Sequence, residues 1–235
     1  MVRHLARMIL LAALAFASAP AMAHPHVWVS VATTVIYEHG SVKAFRHRWV
    51  FDESYTSMAI ENLDANNDGK IDRSELAELA KVNIDGLKEF EYFTAAKLGE
   101  QPLAFGAPTD YWMELTEIAS TSMTNPMADP AATENKKASG AQPKVKVLVL
   151  EFTLPLQQPV LAEADGFKFS VADPSFFIWF DFVKKEPVKL ASAPAGCKAK
   201  ISGAVDGGGQ SLGDAAATPG INWGVAKTVS LSCHH

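Results

Sequence analysis

From His26 to Tyr37 apolar and polar residues alternate, with Val and Thr abundant, and a period of two predicts a half-buried strand. Glu38-His39-Gly40-Ser41 reads as a tight turn, and Val42 to Val50 resumes the strand pattern, so the two runs predict a β-hairpin. After Asp52 the period changes. Tyr55, Met58, Ala59 and Leu63 suit a short helix, and Ser74 to Glu89 predicts a second, with Leu76, Leu79, Ala80 and Leu87 as inner positions. Phe90 to Phe105 reads as strand, turn at Gly99-Glu100-Gln101 and return strand, with another strand over Tyr111 to Leu115. Further strands are predicted at Val145 to Leu154, Phe167 to Val171 and Ser175 to Val183, where Phe176, Ile178, Phe180 and Phe182 form one apolar face. The sum is an α+β chain, mostly antiparallel β and sandwich-like, with a helical insertion near residues 53–90.

The aperiodic stretches divide this pattern. Residues 1–23 read as a signal peptide: Arg3 and Arg7 precede the apolar run Met8 to Phe16, and Ala21-Met22-Ala23 has the small-x-small form of a cleavage site. An exported, periplasmic chain of residues 24–235 is then expected. Residues 24–119 hold the hairpin, the helical insertion and the next strands. Residues 120–143, rich in Pro, Ala, Ser and Asn, read as a loop or linker, and 144–235 as a C-terminal β region with its own Gly-rich segment over Val205 to Gly220. The formal charge is −5, and loss of Arg3 and Arg7 takes it to −7. A chain so charged, with no basic stripe in its sequence, is not expected to bind nucleic acid.

Within the helical insertion, Asp64-Ala65-Asn66-Asn67-Asp68-Gly69-Lys70-Ile71-Asp72-Arg73-Ser74-Glu75 has the spacing of an EF-hand loop. Calcium is a hard cation that takes six to eight oxygen ligands. Oxygen side chains stand at loop positions 1, 3, 5 and 9 (Asp64, Asn66, Asp68, Asp72), Lys70 offers its backbone carbonyl at position 7, and Glu75 closes the loop with two oxygens. Gly69 makes the sharp turn, and Ile71 is the apolar residue that packs inward. The sequence contains no second such loop to pair with it, so the expected role is a structural staple rather than a sensor.

Two histidines flank Pro25 just behind the cleavage site. Cleavage after Ala23 gives His24 a free amine beside its imidazole, a chelating pair for Ni²⁺, Co²⁺, Zn²⁺ or Cu²⁺. Pro25 has no N–H, which blocks a square-planar mode through backbone amides. His26 lies on the same side of an extended chain. If His39-Gly40 is a two-residue loop, Glu38 faces Ser41, His26 faces Glu53 and His47 faces Ala32; Glu53, or its neighbour Asp52, is then the expected further ligand. In that register His47 shares a face with His26, and Trp28 and Trp49 share one that belongs to the core. His234 and His235 are further candidates if the chain ends meet. The alternative is that the histidines are solvated residues of a first strand. Two cysteines in an exported chain, Cys197 and Cys233, both on the inward side of alternating runs, are expected to form a disulfide.

His24-Pro25-His26-Val27-Trp28-Val29, Arg46-His47-Arg48-Trp49-Val50-Phe51-Asp52-Glu53, the EF-like loop and Asp173-Pro174-Ser175-Phe176-Phe177-Ile178 together resemble the domain-of-unknown-function 1007 family. The resemblance implies a periplasmic component of an ABC-type transport system, associated with traffic of transition metals such as nickel or cobalt and with a membrane transporter as partner. It carries over no catalytic residues. The expected function is a metal-binding accessory protein, not an enzyme. Two alternatives stay open: a copper-dependent oxidative enzyme using the His24 chelate, and a calcium-stabilised interaction module without transition metal.

Overall fold

A computed structural model describes residues 26–119, 144–162, 164–203 and 226–233 of the chain. It begins with β1 (Val27–Glu38) and β2 (Ser41–Phe51), a hairpin turned by His39 and Gly40, both at positive φ. Two helices follow, α1 (Glu53–Ala59) and α2 (Ala77–Leu87), separated by the loop that holds residues 64–75. A 3-10 turn over Lys88–Phe93 leads to β3 (Thr94–Leu98), β4 (Gln101–Leu103) and β5 (Thr109–Ala119). Beyond residue 143 come β6 (Lys144–Leu161), β7 (Phe167–Val171), β8 (Ile178–Phe182), β9 (Val188–Ala191), β10 (Cys197–Ser202) and β11 (Thr228–Cys233).

Two sheets result. One has the order β5-β6-β2-β1-β8, with β9 also on β1, and the other β10-β11-β7-β3-β4. The second is antiparallel throughout, whereas the first is mixed, because β1 runs parallel to β8 and β9. Strands from both sides of residues 120–143 share each sheet. The inner faces meet through aromatic rings: Phe45 of β2 lies 4.7 Å from Phe169 and 6.2 Å from Phe167, both of β7. Val27, Val29, Val31, Thr33, Val35 and Tyr37 of β1 all point inward, as strict alternation demands. Aromatic pairs at these separations gain about 0.5–1.5 kcal/mol beyond the area they bury.

The expected hairpin register holds only near the turn. Tyr37 pairs with Val42 and Glu38 with Ser41, but Ile36 pairs with Ala44, so Lys43 is the extra residue of a β-bulge. Every later pair is displaced by one: His47 faces Thr33, not Ala32, and Trp49 faces Val31. Because the side-chain period is two, one extra residue reverses faces. The bulge lets Val42 and Phe45 both point inward while exposed Lys43 does not. Trp28 and Trp49 therefore occupy opposite faces of the sheet.

Other expectations shift in detail. Met58 is 67% exposed, because α1 turns Thr56 to the sheet; the Thr56 hydroxyl accepts the Leu148 N–H where β2 has ended. The strand expected from Phe90 starts at Thr94. Glu91, Tyr92 and Phe93 have φ of 51°, 56° and 46°, and this left-handed run sets the buried Phe93 ring 5.4 Å from Phe180. Phe176 (φ 58°) belongs to the turn before β8, not to its apolar face. The segments read as loops at 120–143 and 205–220, like residues 1–25, lie outside the described residues. No helix of the described residues is long and apolar enough to cross a membrane.

Candidate functional site

The loop between α1 and α2 is organised by its own side-chain oxygens. Asp64 Oδ1 accepts the Asp68 N–H (3.1 Å) and Oδ2 the Gly69 N–H (2.9 Å). Asn66 Oδ1 also accepts from Asp68 N (2.8 Å), and Asp68 Oδ1 accepts from Lys70 N (2.8 Å). Asp72 Oδ1 accepts from the backbone of Ser74 (2.7 Å) and Glu75 (3.2 Å). Glu75 reaches back across the whole loop, taking the Ala65 N–H on Oε1 (2.9 Å) and the Asp72 N–H on Oε2 (3.1 Å). Gly69 turns the chain at φ +79°, where a side chain would be strained.

Each side-chain oxygen singled out by spacing thus takes part in one circuit, and Gly69 lets the circuit close. Hydrogen bonds from the Ser74 hydroxyl, then from the Glu75 and Ser74 N–H groups, hold the Asp72 carboxyl below the usual carboxylate range. The donors are four carboxylates, one amide oxygen and the Lys70 carbonyl. That set suits a hard, oxygen-seeking cation and offers nothing to a soft one. Among the described residues, no three His, Cys, Asp or Glu side chains converge as a ready-made metal cage; here the loop carboxylates bond to backbone N–H groups instead.

The loop is fastened to the sandwich at both ends. Leu76 at the start of α2 and Ala80 and Ile84 within it, spaced by four, are buried in the main core, and Ile71 packs against it. Leu79 and Leu87, also expected to be inner, are partly buried against the same core. Arg73 reaches to β5, where it pairs with Glu114 and lies over the Trp112 ring at 4.9 Å. Arg46 of β2 lies over the same ring at 5.5 Å, and Arg48 joins Glu114 to Glu151. Sequence reasoning passed over this Arg–Trp–Glu lattice, since its members come from four separate segments.

The amino-terminal site is arranged differently from the expectation. His26 is exposed; its N–H donates to the Phe177 carbonyl (2.9 Å), and its ring lies 5.0 Å from the Phe177 ring. Glu53 is not its strand partner, because pairing of β1 with β2 stops at Val29–Phe51 and Glu53 opens α1. Asp52 is already engaged: Oδ1 caps α1 through the Tyr55 N–H (2.8 Å) and Oδ2 accepts the Trp28 N–H (2.8 Å). His24, His234 and His235 lie outside the described residues.

His47 is the histidine that the bulge removes from this face. It is fully buried, with Thr33 Oγ1 3.0 Å from Nδ1 and Thr94 Oγ1 3.4 Å from Nε2. Thr94 donates its one hydroxyl proton to the Tyr92 carbonyl (2.9 Å), so it must accept from Nε2–H. Nδ1 is then the acceptor for Thr33. This neutral tautomer links β1 and β2 of one sheet to β3 of the other, and burial lowers the imidazole pKa to about 3. The expected disulfide is present: Cys197 and Cys233 face each other across β10 and β11, with Cα atoms 3.8 Å apart.

Three comparisons bear on kinship. The chain is 22% identical over 189 residues to an uncharacterized protein of Haemophilus influenzae, covering 79% of this chain and 76% of that one. It is 42% identical over 48 residues to an uncharacterized 15.5 kDa protein in the trpE 3' region of Spirochaeta aurantia, covering 20% of this chain and 34% of that one. No solved structure matches it significantly. Residues 9–211 match the family described as "Protein of unknown function (DUF1007)", and the chain belongs to that family.

Proposed function

We propose that this protein is a periplasmic metal-binding accessory protein, a binding protein rather than an enzyme, with calcium held by an EF-hand-like loop at residues 64–75. The observation that supports the calcium reading is the hydrogen-bond circuit of that loop, in which Asp64, Asn66, Asp68, Asp72 and Glu75, at EF-hand spacing, all accept backbone N–H groups of the same loop. Calcium would hold α1 and α2 in one geometry, and through Ile71, Leu76 and Arg73 fix them to the sandwich. A lone exported loop works at weak affinity, about 10⁻⁴ to 10⁻³ M. Saturation at a hundredfold excess over Kd stabilises the fold by about 2.7 kcal/mol, a Tm rise of roughly 5–10 °C for a chain of this size.

The transition-metal part of the reading rests on His24 and His26 at the new amino terminus. With Asp52 engaged by the Tyr55 and Trp28 N–H groups, the His24 amine and the two rings would hold Ni²⁺, Co²⁺, Zn²⁺ or Cu²⁺ for a membrane transporter, with the exposed Glu53 as a further oxygen donor. Calorimetric titration of residues 24–235 tests both parts. Calcium heat and the Tm rise should vanish in Glu75→Gln; an unchanged response sinks the calcium loop. Nickel, copper and zinc should bind His26→Ala at least tenfold more weakly. Equal affinity leaves a calcium-stabilised interaction module instead.

A further inference from the structure

The second sheet has a charge pattern that metal binding does not use. Its five strands read TAAKL, QPL, FKFSV, CKAKIS and TVSLSC: four lysines and not one acidic residue. The first sheet mixes both signs, and the whole chain is acidic at −5. Register places all four lysines on one face. Lys97 pairs with Lys168, Lys168 with Ser230 and Ser230 with Lys200, so three lysines share one rung across four strands. Lys198 lies two residues along β10, on the same side. The opposite face carries Phe167, Phe169, Val229 and Leu231, all buried in the core, so the lysine face is the outer one.

Like charges directly opposite one another in an antiparallel pair are destabilising. Glu100, at the tip of the β3–β4 turn, is 3.1 Å from Lys97, and Lys227 pairs with Asp181. Lys168, Lys198 and Lys200 have no ion-pair partner among the described residues. Between these strands lies an open depression of about 170 Å³, lined by Lys97, Lys168, Ser202, Gly203, Thr228 and Ser230. Two lysines and three hydroxyl-bearing residues line one small hollow, and the Lys97 ammonium there is paired with Glu100. Gly203 (φ +86°) lets the rim close tightly, since a Cβ there would sit 3.1 Å from the Ala226 carbonyl.

We infer that this depression is a binding site for a small oxyanion of the phosphate class, seated between Lys97 and Lys168 with hydroxyl groups of β10 and β11 around it. Adjacent strands are about 4.8 Å apart, so an anion on Lys168 reaches Lys97 by taking the place of the exposed Glu100 carboxylate, while Lys200, two strands from Lys168, reaches the far end of a longer one. Diphosphate should therefore bind more tightly than monophosphate. The site stands apart from both metal sites and depends on neither.

The test is titration of the full chain with inorganic phosphate and pyrophosphate by calorimetry and by melting, against chloride at equal ionic strength. Saturable binding, a higher Tm than in chloride, and at least a tenfold loss of affinity in both Lys168→Gln and Lys97→Gln are expected. Lys146→Gln, on the other sheet, should bind as the parent does. A response equal to that in chloride, or equal affinities in parent and lysine variants, overturns the site. Vesicles of phosphatidylglycerol and of phosphatidylcholine separate a free anion from a lipid headgroup. Capture by the anionic vesicles that pyrophosphate reverses supports the site, and capture that pyrophosphate leaves unchanged overturns it.

Discussion

His47 makes the stability of the sandwich depend on pH in a way that can be calculated. In the unfolded chain its imidazole titrates near 6.5; in the fold, burial without a countercharge lowers the pKa to about 3. Its ring neighbours are Phe45, Trp49 and Phe152, none of them charged. Both ring nitrogens would be donors in the cation, yet Nδ1 faces a threonine hydroxyl that serves as its donor. The unfolded state therefore binds one proton more than the native state between the two pKa values. The contribution is complete above pH 6.5 and is lost as pH falls from there toward 3, by about 1.4 kcal/mol per pH unit. Two units below 6.5 the loss is roughly 3 kcal/mol, and the whole window holds on the order of 5 kcal/mol. The comparison is His47→Gln, whose amide can accept from Thr33 and donate to Thr94 but does not titrate. At pH 7.5 the variant should be less stable by roughly 1–3 kcal/mol, from lost ring packing. Urea unfolding from pH 7.5 to 4.5 should show a shallower acid slope in His47→Gln, by about one proton, so that the difference between the two proteins shrinks as pH falls. Parallel slopes, or a His47 resonance that titrates between pH 6 and 7 in the folded protein, would refute the argument.

Removing the disulfide with Cys197→Ser and Cys233→Ser opens a loop whose ends are 36 residues apart, and unfolding free energy should fall by about 4 kcal/mol on the chain-entropy model. Equal urea midpoints for oxidised and reduced protein contradict this. Arg73→Ala removes one of the two cations over Trp112 and the exposed pair with Glu114; stability should drop by less than about 1 kcal/mol. The same variant should blunt any change in tryptophan emission on calcium addition, and an unaltered emission change would show that Arg73 does not couple the loop to β5.

The elements most visible in the sequence are those with strict local periodicity. The alternation in β1 and β7 and the twelve-residue loop are all read from neighbouring residues. What the sequence conceals is longer in range. Nothing in Val42-Lys43-Ala44 announces a bulge, because Ala44 fits either face; yet that single extra residue sends His47 into the core and separates it from His26. Pairing of β1 with β8 and β9 is equally hidden, since no pattern within β1 tells which distant strand will lie alongside it. The Arg73–Trp112–Glu114 group and the lysine rung are products of register between remote strands. The disulfide was legible because cysteine is rare here and its partner had no competitor.

The place of β1 within its sheet carries a consequence for how the chain reaches its native state. This earliest strand is an interior one, flanked by β2 on one side and by β8 and β9 on the other, so one whole edge of it stays unsatisfied until residues 178–191 arrive. Contacts so far apart in sequence are slow to form. The hairpin can assemble early, but the sandwich closes last around its own beginning, and until then the first strand is a bare template for intermolecular pairing. A chain delivered amino terminus first would spend that interval needing a holdase, or dilution, to avoid aggregation.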